Sequence, residues 1–153
     1  MGAQRAIVLK IDSHPNNVAL IGLAVHAYCD HFFDGEFSDE VELGIVEALN
    51  NVIEHGYQNQ FDQPIQVRLE LSEQSLVCQI RDFGVQWCMR ESDGQELRQE
   101  GGETALEDIP EGGFGLFLIR QVMDHVDLRA ENPGSMLTLK KFCRPKSGVG
   151  DEA

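Results

Sequence analysis

The sequence predicts an α+β protein, a two-layer sandwich of a mainly antiparallel sheet with three main helices on one face. Three observations lead there. The clearest is a pair of period-two runs: Ile65, Val67, Leu69 and Leu71 alternate with polar residues, and Leu76, Cys78 and Ile80 repeat the pattern after Ser72-Glu73-Gln74-Ser75. That short connection suits an antiparallel hairpin. Two long helix-type patterns precede these strands, and a shorter helix with a second strand pair follows them. No repeat or internal linker divides the 153 residues, so one domain is expected, over 1–144, with a disordered tail at 145–153.

Taken in order, Ala6 to Ile11 is a compact β-prone run. Pro15 opens a helix to about Phe33, with Val18, Ile21, Leu23, Val25 and Tyr28 as apolar positions. Asp34-Gly35 breaks it. Ser38, followed by Glu40 and Val41, reads as the N-cap of a second helix, which runs to about His55 and stops at Gly56. After the hairpin, residues 87–111 lose all periodicity into Gly, Asp, Glu, Gln and Arg, a long polar segment of the kind that carries function. Gly115 to Met123 is helical again, and Val126–Arg129 and Met136–Phe142 form two strands around Pro133-Gly134.

Composition narrows the function classes. A net charge of −14 argues against direct binding to nucleic acid, which needs clustered Lys and Arg, and against an anionic membrane surface. No apolar run approaches the roughly 20 residues of a spanning helix, and the N-terminus lacks a signal-peptide stretch, so a cytoplasmic protein is expected. Cys29, Cys78, Cys88 and Cys143 have no paired spacing and read as reduced thiols, with Cys78 in the core. An acidic protein that binds a nucleotide needs a divalent cation and oriented backbone N–H groups. The same charge favours a basic partner or simply solubility.

Three segments carry candidate chemistry. Projected at about 100° per residue, the second helix gathers Val41, Ile45, Ala48, Leu49 and Val52 on one side. Glu47, Asn51, Glu54 and His55, with Gly44, fall on the other. Glu47 and Asn51 are neighbours on one stripe. The carboxamide suits Mg²⁺ and the carboxylate suits proton acceptance from a hydroxyl or water, while a solvated polar face explains the pair equally simply. Asp82 lies in register with Leu76, Cys78 and Ile80 on the face to be buried. An adenine amino group is one donor for it, with Gly84 permitting close approach of the ring; a strand-end turn Asp is the alternative. Gly112-Gly113-Phe114-Gly115 precedes the third helix, where free N–H groups suit phosphate, although it is neither a dinucleotide fingerprint nor a Walker loop.

Glu47…Asn51…His55-Gly56, then Asp82-Phe83-Gly84, then Gly113-Phe114-Gly115-Leu116-Phe117-Leu118-Ile119 resembles the N, G1 and G2 boxes of the GHKL ATPase superfamily. The chain length, Glu-Ala-Leu-x-Asn and Glu-Gly-Gly-x-Gly-Leu are most similar to the anti-sigma-factor serine kinases of bacterial partner-switching systems. The resemblance spans about Arg5 to Phe142. It implies the GHKL (Bergerat) ATP-binding fold, with ATP and Mg²⁺ as cofactors. Glu47 would be the general base, Asn51 the Mg²⁺ ligand, and Asp82 with Gly84 the adenine site. Gly113 and Gly115 would line the triphosphate, with Gly112, Phe114 and Leu116 of the same motif beside them, and residues from about Trp87 to Glu111 would form an ATP lid. One departure stands out. Where family members carry a second glycine or a proline after Asp-x-Gly, this chain has Val85-Gln86-Trp87, so a bulky Trp either stacks at the adenine site or alters nucleotide affinity.

The resemblance implies a protein serine/threonine kinase that phosphorylates a STAS-domain anti-anti-sigma protein and sequesters a sigma factor or other output protein. The second reading is a module of the same fold that has lost kinase activity and works by sequestration alone. Family members often dimerise through the sheet face or the first helix, so a homodimer is compatible with it.

Overall fold

The computed structural model describes residues 5–88 and 113–143, with side-chain surroundings in the last helix from residue 116 onward. Five strands form one sheet: β1 (Arg5–Asp12), β2 (Pro64–Leu71), β3 (Ser75–Asp82), β4 (His125–Ala130) and β5 (Ser135–Phe142). Their spatial order is β1-β2-β3-β5-β4, and every pairing is antiparallel. The helices are α1 (Pro15–Asp30), α2 (Gly35–Asn51) and α3 (Gly113–Val122), and a π-helical turn over Val52–Gly56 continues α2. This is the expected α+β architecture.

The central strands show why the alternation was legible. In β2 and β3 every second residue is buried, namely Ile65, Val67, Leu69 and Leu71, then Leu76, Cys78, Ile80 and Asp82. β5 adds Ser135, Leu137 and Leu139 to the same face. Burying one such Leu or Ile contributes about 1.5–3 kcal/mol, so a register slip by one residue would forfeit the core. The outer strands β1 and β4 bury less, as edge strands do. Cys29 and Cys78 are core residues, and burial pushes the Cys29 thiol up to about 12, far from reactive thiolate.

Two local expectations are corrected. Ser38 is not the N-cap of α2. Asp34 is: it has extended backbone angles, and its carboxylate accepts the Phe37 N–H at 3.0 Å. The residue pair read only as the break after α1 starts α2, α1 itself ending at Asp30, and Ser38 is fully buried one turn inside, its hydroxyl donating to the Asp34 carbonyl at 3.2 Å. Gly44 is not on an open polar side either. It is buried against α3 and the residue after it: a Cβ there would lie 3.1 Å from a Val122 methyl and 2.5 Å from the Met123 Cε. α2 is therefore covered by the sheet on one side and by α3 on another, and a single-helix projection cannot see the second neighbour. The predicted tail at 145–153 lies outside the described residues.

Candidate active site

The end of α2 and the end of β3 meet through two glycines. The π-helical turn carries the chain from Asn51 to Gly56, adding a residue per turn where functional helices often bulge. Gly56 then lies under the Asp82 side chain: a Cβ there would be 3.1 Å from Asp82 Oδ1. Gly84 sits closer still against the same residue, since its Cβ would fall 2.0 Å from the Gly56 carbonyl oxygen. The sequence suggested that Gly84 leaves room for a ring. In the fold its missing side chain leaves room for the Gly56 backbone. The Val85 N–H donates to that carbonyl at 2.8 Å, which locks the two segments together.

Asp82, the last residue of β3, is 1% exposed, as its register predicted. Its Oδ1 accepts the Gly84 N–H at 3.1 Å, whereas Oδ2 is buried with no hydrogen-bond partner among the described residues. Burial raises the carboxyl pKa. The Gly84 N–H, the nearby Trp87 indole N–H, Arg81 and the Ser135 backbone N–H each oppose the shift without cancelling it. A buried acceptor left open in this way is a poor stabilising device and a good receptor for an N–H donor. The residue set thus fits an adenine amino group, and the simple turn-Asp explanation leaves Oδ2 unexplained.

Three further residues complete the surroundings: the sequence reading assigned neither Ser135 nor Tyr57, and gave Trp87 as either stacking at the adenine site or altering nucleotide affinity. Ser135 is the cross-strand partner of Asp82, fully buried, with a hydroxyl that has no hydrogen-bond partner among the described residues. Only strand pairing between β3 and β5 reveals it. Tyr57 bridges the ends: its hydroxyl donates to the Pro64 carbonyl and accepts the Phe83 N–H at 2.8 Å. Trp87 stacks on His55 with ring centroids 5.5 Å apart and planes at 26°. Its half-buried ring brings the lone indole of the chain to the Asp82 side of the sheet.

Glu47 and Asn51 lie on α2 as one stripe, but not on a freely solvated face. Asn51 is 6% exposed, and its carboxamide makes no side-chain hydrogen bond among the described residues. Glu47 is half-buried, and desolvation alone raises its pKa. A carboxylate held in this way accepts a proton more readily than an exposed one. Gly113, Phe114 and Gly115 are the first turn of α3 rather than a loop before it, so their backbone N–H groups are among the four a helix start leaves free. Leu116, in the same turn, is buried. Gly112, the Phe114 side chain and the predicted lid beyond Cys88 lie outside the described residues.

Among the described residues no helix is long and apolar enough to cross a membrane.

Comparison with known proteins follows this geometry. The histidine kinase-like ATPase domain family matches residues 11–141. The chain is 27% identical to the serine-protein kinase RsbW of Oceanobacillus iheyensis over 141 residues, covering 89% of this chain and 85% of that protein. It is 29% identical to the RsbW of Listeria innocua, covering 92% and 88%. Among solved structures, the RsbU and RsbW domains of Rv1364c from Mycobacterium tuberculosis superpose with a TM-score of 0.62 at 15% identity, over 93% of this chain. This chain spans 34% of that longer one, and the likeness concerns the fold.

Proposed function

The chain belongs to the histidine kinase-like ATPase domain family, and from that premise we propose that it is an ATP-dependent protein serine/threonine kinase working as a partner switch. Its phosphoryl acceptor would be a STAS-domain antagonist, and it would sequester a sigma factor or equivalent output protein. The observation that carries this reading is the open, buried Oδ2 of Asp82 at the junction with the helix that bears Glu47 and Asn51. The names and coverage of the serine-protein kinase relatives support the kinase class.

In this reading Asp82 accepts the exocyclic amino group of adenine. Guanine carries a carbonyl at the matching position, which would place two acceptors face to face. Asn51 would hold Mg²⁺ through its amide oxygen, and the α3 N-terminus with Gly113 and Gly115 would receive phosphate oxygens. Bound Mg²⁺ supplies charge neutralisation for the triphosphate. Glu47 takes the proton of the acceptor serine or threonine hydroxyl as its oxygen bonds to the γ-phosphorus and the bond to the β-phosphate oxygen breaks, releasing ADP. Catalysis of this type is chiefly positioning and electrostatics.

The test is transfer of labelled γ-phosphate to a STAS protein that copurifies with the chain from its native cell extract. Glu47→Ala should abolish labelling while ATP binding, measured by calorimetry, persists. Unchanged labelling in that variant would remove Glu47 from the base role. Binding of ATP by the unmutated chain with no labelled partner would favour a sequestering module instead.

A further inference from the structure

The segment after Asp82 is held residue by residue. The Phe83 N–H donates to the Tyr57 hydroxyl, the Gly84 N–H to Asp82 Oδ1 and the Val85 N–H to the Gly56 carbonyl. The Gln86 side-chain amide donates to the Glu131 carbonyl at 2.7 Å, tying the segment to the β4–β5 hairpin. Four consecutive anchors leave Trp87 delivered to one place. There its ring lies against His55, and its Nε1 is buried without a hydrogen-bond partner in bonding geometry among the described residues. The N–H nonetheless lies close enough to the Asp82 carboxyl to favour its charged form. Oδ1 already accepts the Gly84 N–H, and Oδ2 is the carboxylate oxygen left open among the described residues.

We propose that Trp87 is a self-ligand of the base site: in the nucleotide-free chain its indole stands where an adenine would lie, and nucleotide binding displaces it. The proposal rests on the adenine reading of Asp82. An indole is a flat fused bicycle with a ring N–H, the nearest side-chain analogue of a purine carrying a donor. Asp82 is buried with Oδ2 open among the described residues, so in this proposal the indole and an adenine amino group compete for the same acceptor. The ring is half-buried at the margin of the core and its platform, His55, is exposed, so departure of the indole gives up packing at that margin and leaves the fully buried residues in place. Val85-Gln86-Trp87 thus becomes a built-in competitor that raises the nucleotide concentration needed for loading. By the ordinary rule, apparent affinity falls by the fraction of time the site is free.

The chain has one tryptophan, so its emission reports this residue alone. The experiment titrates the full chain with ATP, ADP and adenosine, following binding by calorimetry and Trp87 by emission wavelength and acrylamide quenching. Saturation should shift emission to the red and raise quenching. Trp87→Ala should bind all three ligands about tenfold more tightly, the gain when a competitor that fills the site about nine-tenths of the time is removed. Trp87→Phe, which keeps a ring but lacks the N–H, should fall between. The gain should be the same for adenosine as for ATP, because the competition is at the base. Unchanged emission at saturation, or weaker binding by Trp87→Ala and Trp87→Phe, overturns the proposal and makes the indole a stacking wall. If no adenine compound binds either the unmutated chain or the variants, the base-site reading itself fails and takes the proposal with it.

Discussion

A carboxylate that is 1% exposed, with one oxygen unpartnered among the described residues, is an expensive residue to keep in a core. Asp82 shows this in its raised pKa, and the consequence for stability has a definite sign. Below the ordinary carboxylate range both folded and unfolded chains hold the proton, and Asp82 imposes no pH-dependent penalty. As pH rises, the unfolded chain releases its proton first, so stability declines until the folded carboxyl has also ionised. Relative to Asp82→Asn, the nucleotide-free protein should therefore lose ground as pH rises above about 4, where the unfolded carboxyl ionises first. Urea midpoints of both proteins across that range check it, and a difference that stays flat with pH would mean the burial has no electrostatic cost. Asn51 invites the same scrutiny, because its side chain is 6% exposed and makes no side-chain hydrogen bond among the described residues. Glu47 differs from both: half-buried and desolvated, it is poised to take up a proton yet remains reachable.

Among the elements, the join between the π-helical turn and the end of β3 matters most. It depends on backbone meeting backbone at Gly56 and Gly84. In Gly84→Ala the new methyl would lie 2.0 Å from the Gly56 carbonyl oxygen, and the following Val85–Gly56 hydrogen bond could not survive the shift that relieves it. The variant should lose roughly 2–4 kcal/mol of stability, along with nucleotide affinity. Gly35→Ala is the matched control. It sits at the α2 start with nothing within 4 Å of the added carbon, so it should be near neutral. Chemical denaturation of the pair measures the contrast, and equal losses would show that glycine loss itself, not the close approach, is responsible. Gly44 makes a third case, in which the obstacle is the flexible end of Met123 and repacking can relieve part of the clash.

At the scale of the whole molecule, one sheet face and three helices share a single core, so a ligand held between α2 and β3 should stabilise the entire unit. A ligand at a hundred times its dissociation constant adds about 2.7 kcal/mol, roughly 5 to 10 °C for a chain of this size. ATP with Mg²⁺ should give such a shift in thermal unfolding. GTP should not, because its carbonyl would oppose the Asp82 carboxylate. Removing the cation should shrink the ATP effect, since a protein of net charge −14 repels a bare triphosphate. Equal shifts with ATP and GTP would deny Asp82 its selecting role.

The sequence by itself determined the layers and much of the site. Period-two burial marked β2 and β3, and that same register placed Asp82 inside before any fold was known. The helical repeat set the core stripe of α2 and paired Glu47 with Asn51, because such patterns depend only on the local geometry of one element. Residues brought together by different elements were not legible. The sequence could not show that α3 covers Gly44, that Ser135 stands across from Asp82, or that Gly84 meets Gly56. Nor could it show that Asp34 caps α2, since a cap is defined by backbone angles. Trp87 is the clearest instance. The chain marked it only as a departure from pattern, and the packing of the π-helical turn against the end of β3 set its indole on His55 beside the Asp82 carboxyl. Periodicity is written along one element, whereas an open acceptor and the ring that faces it exist only where two elements converge.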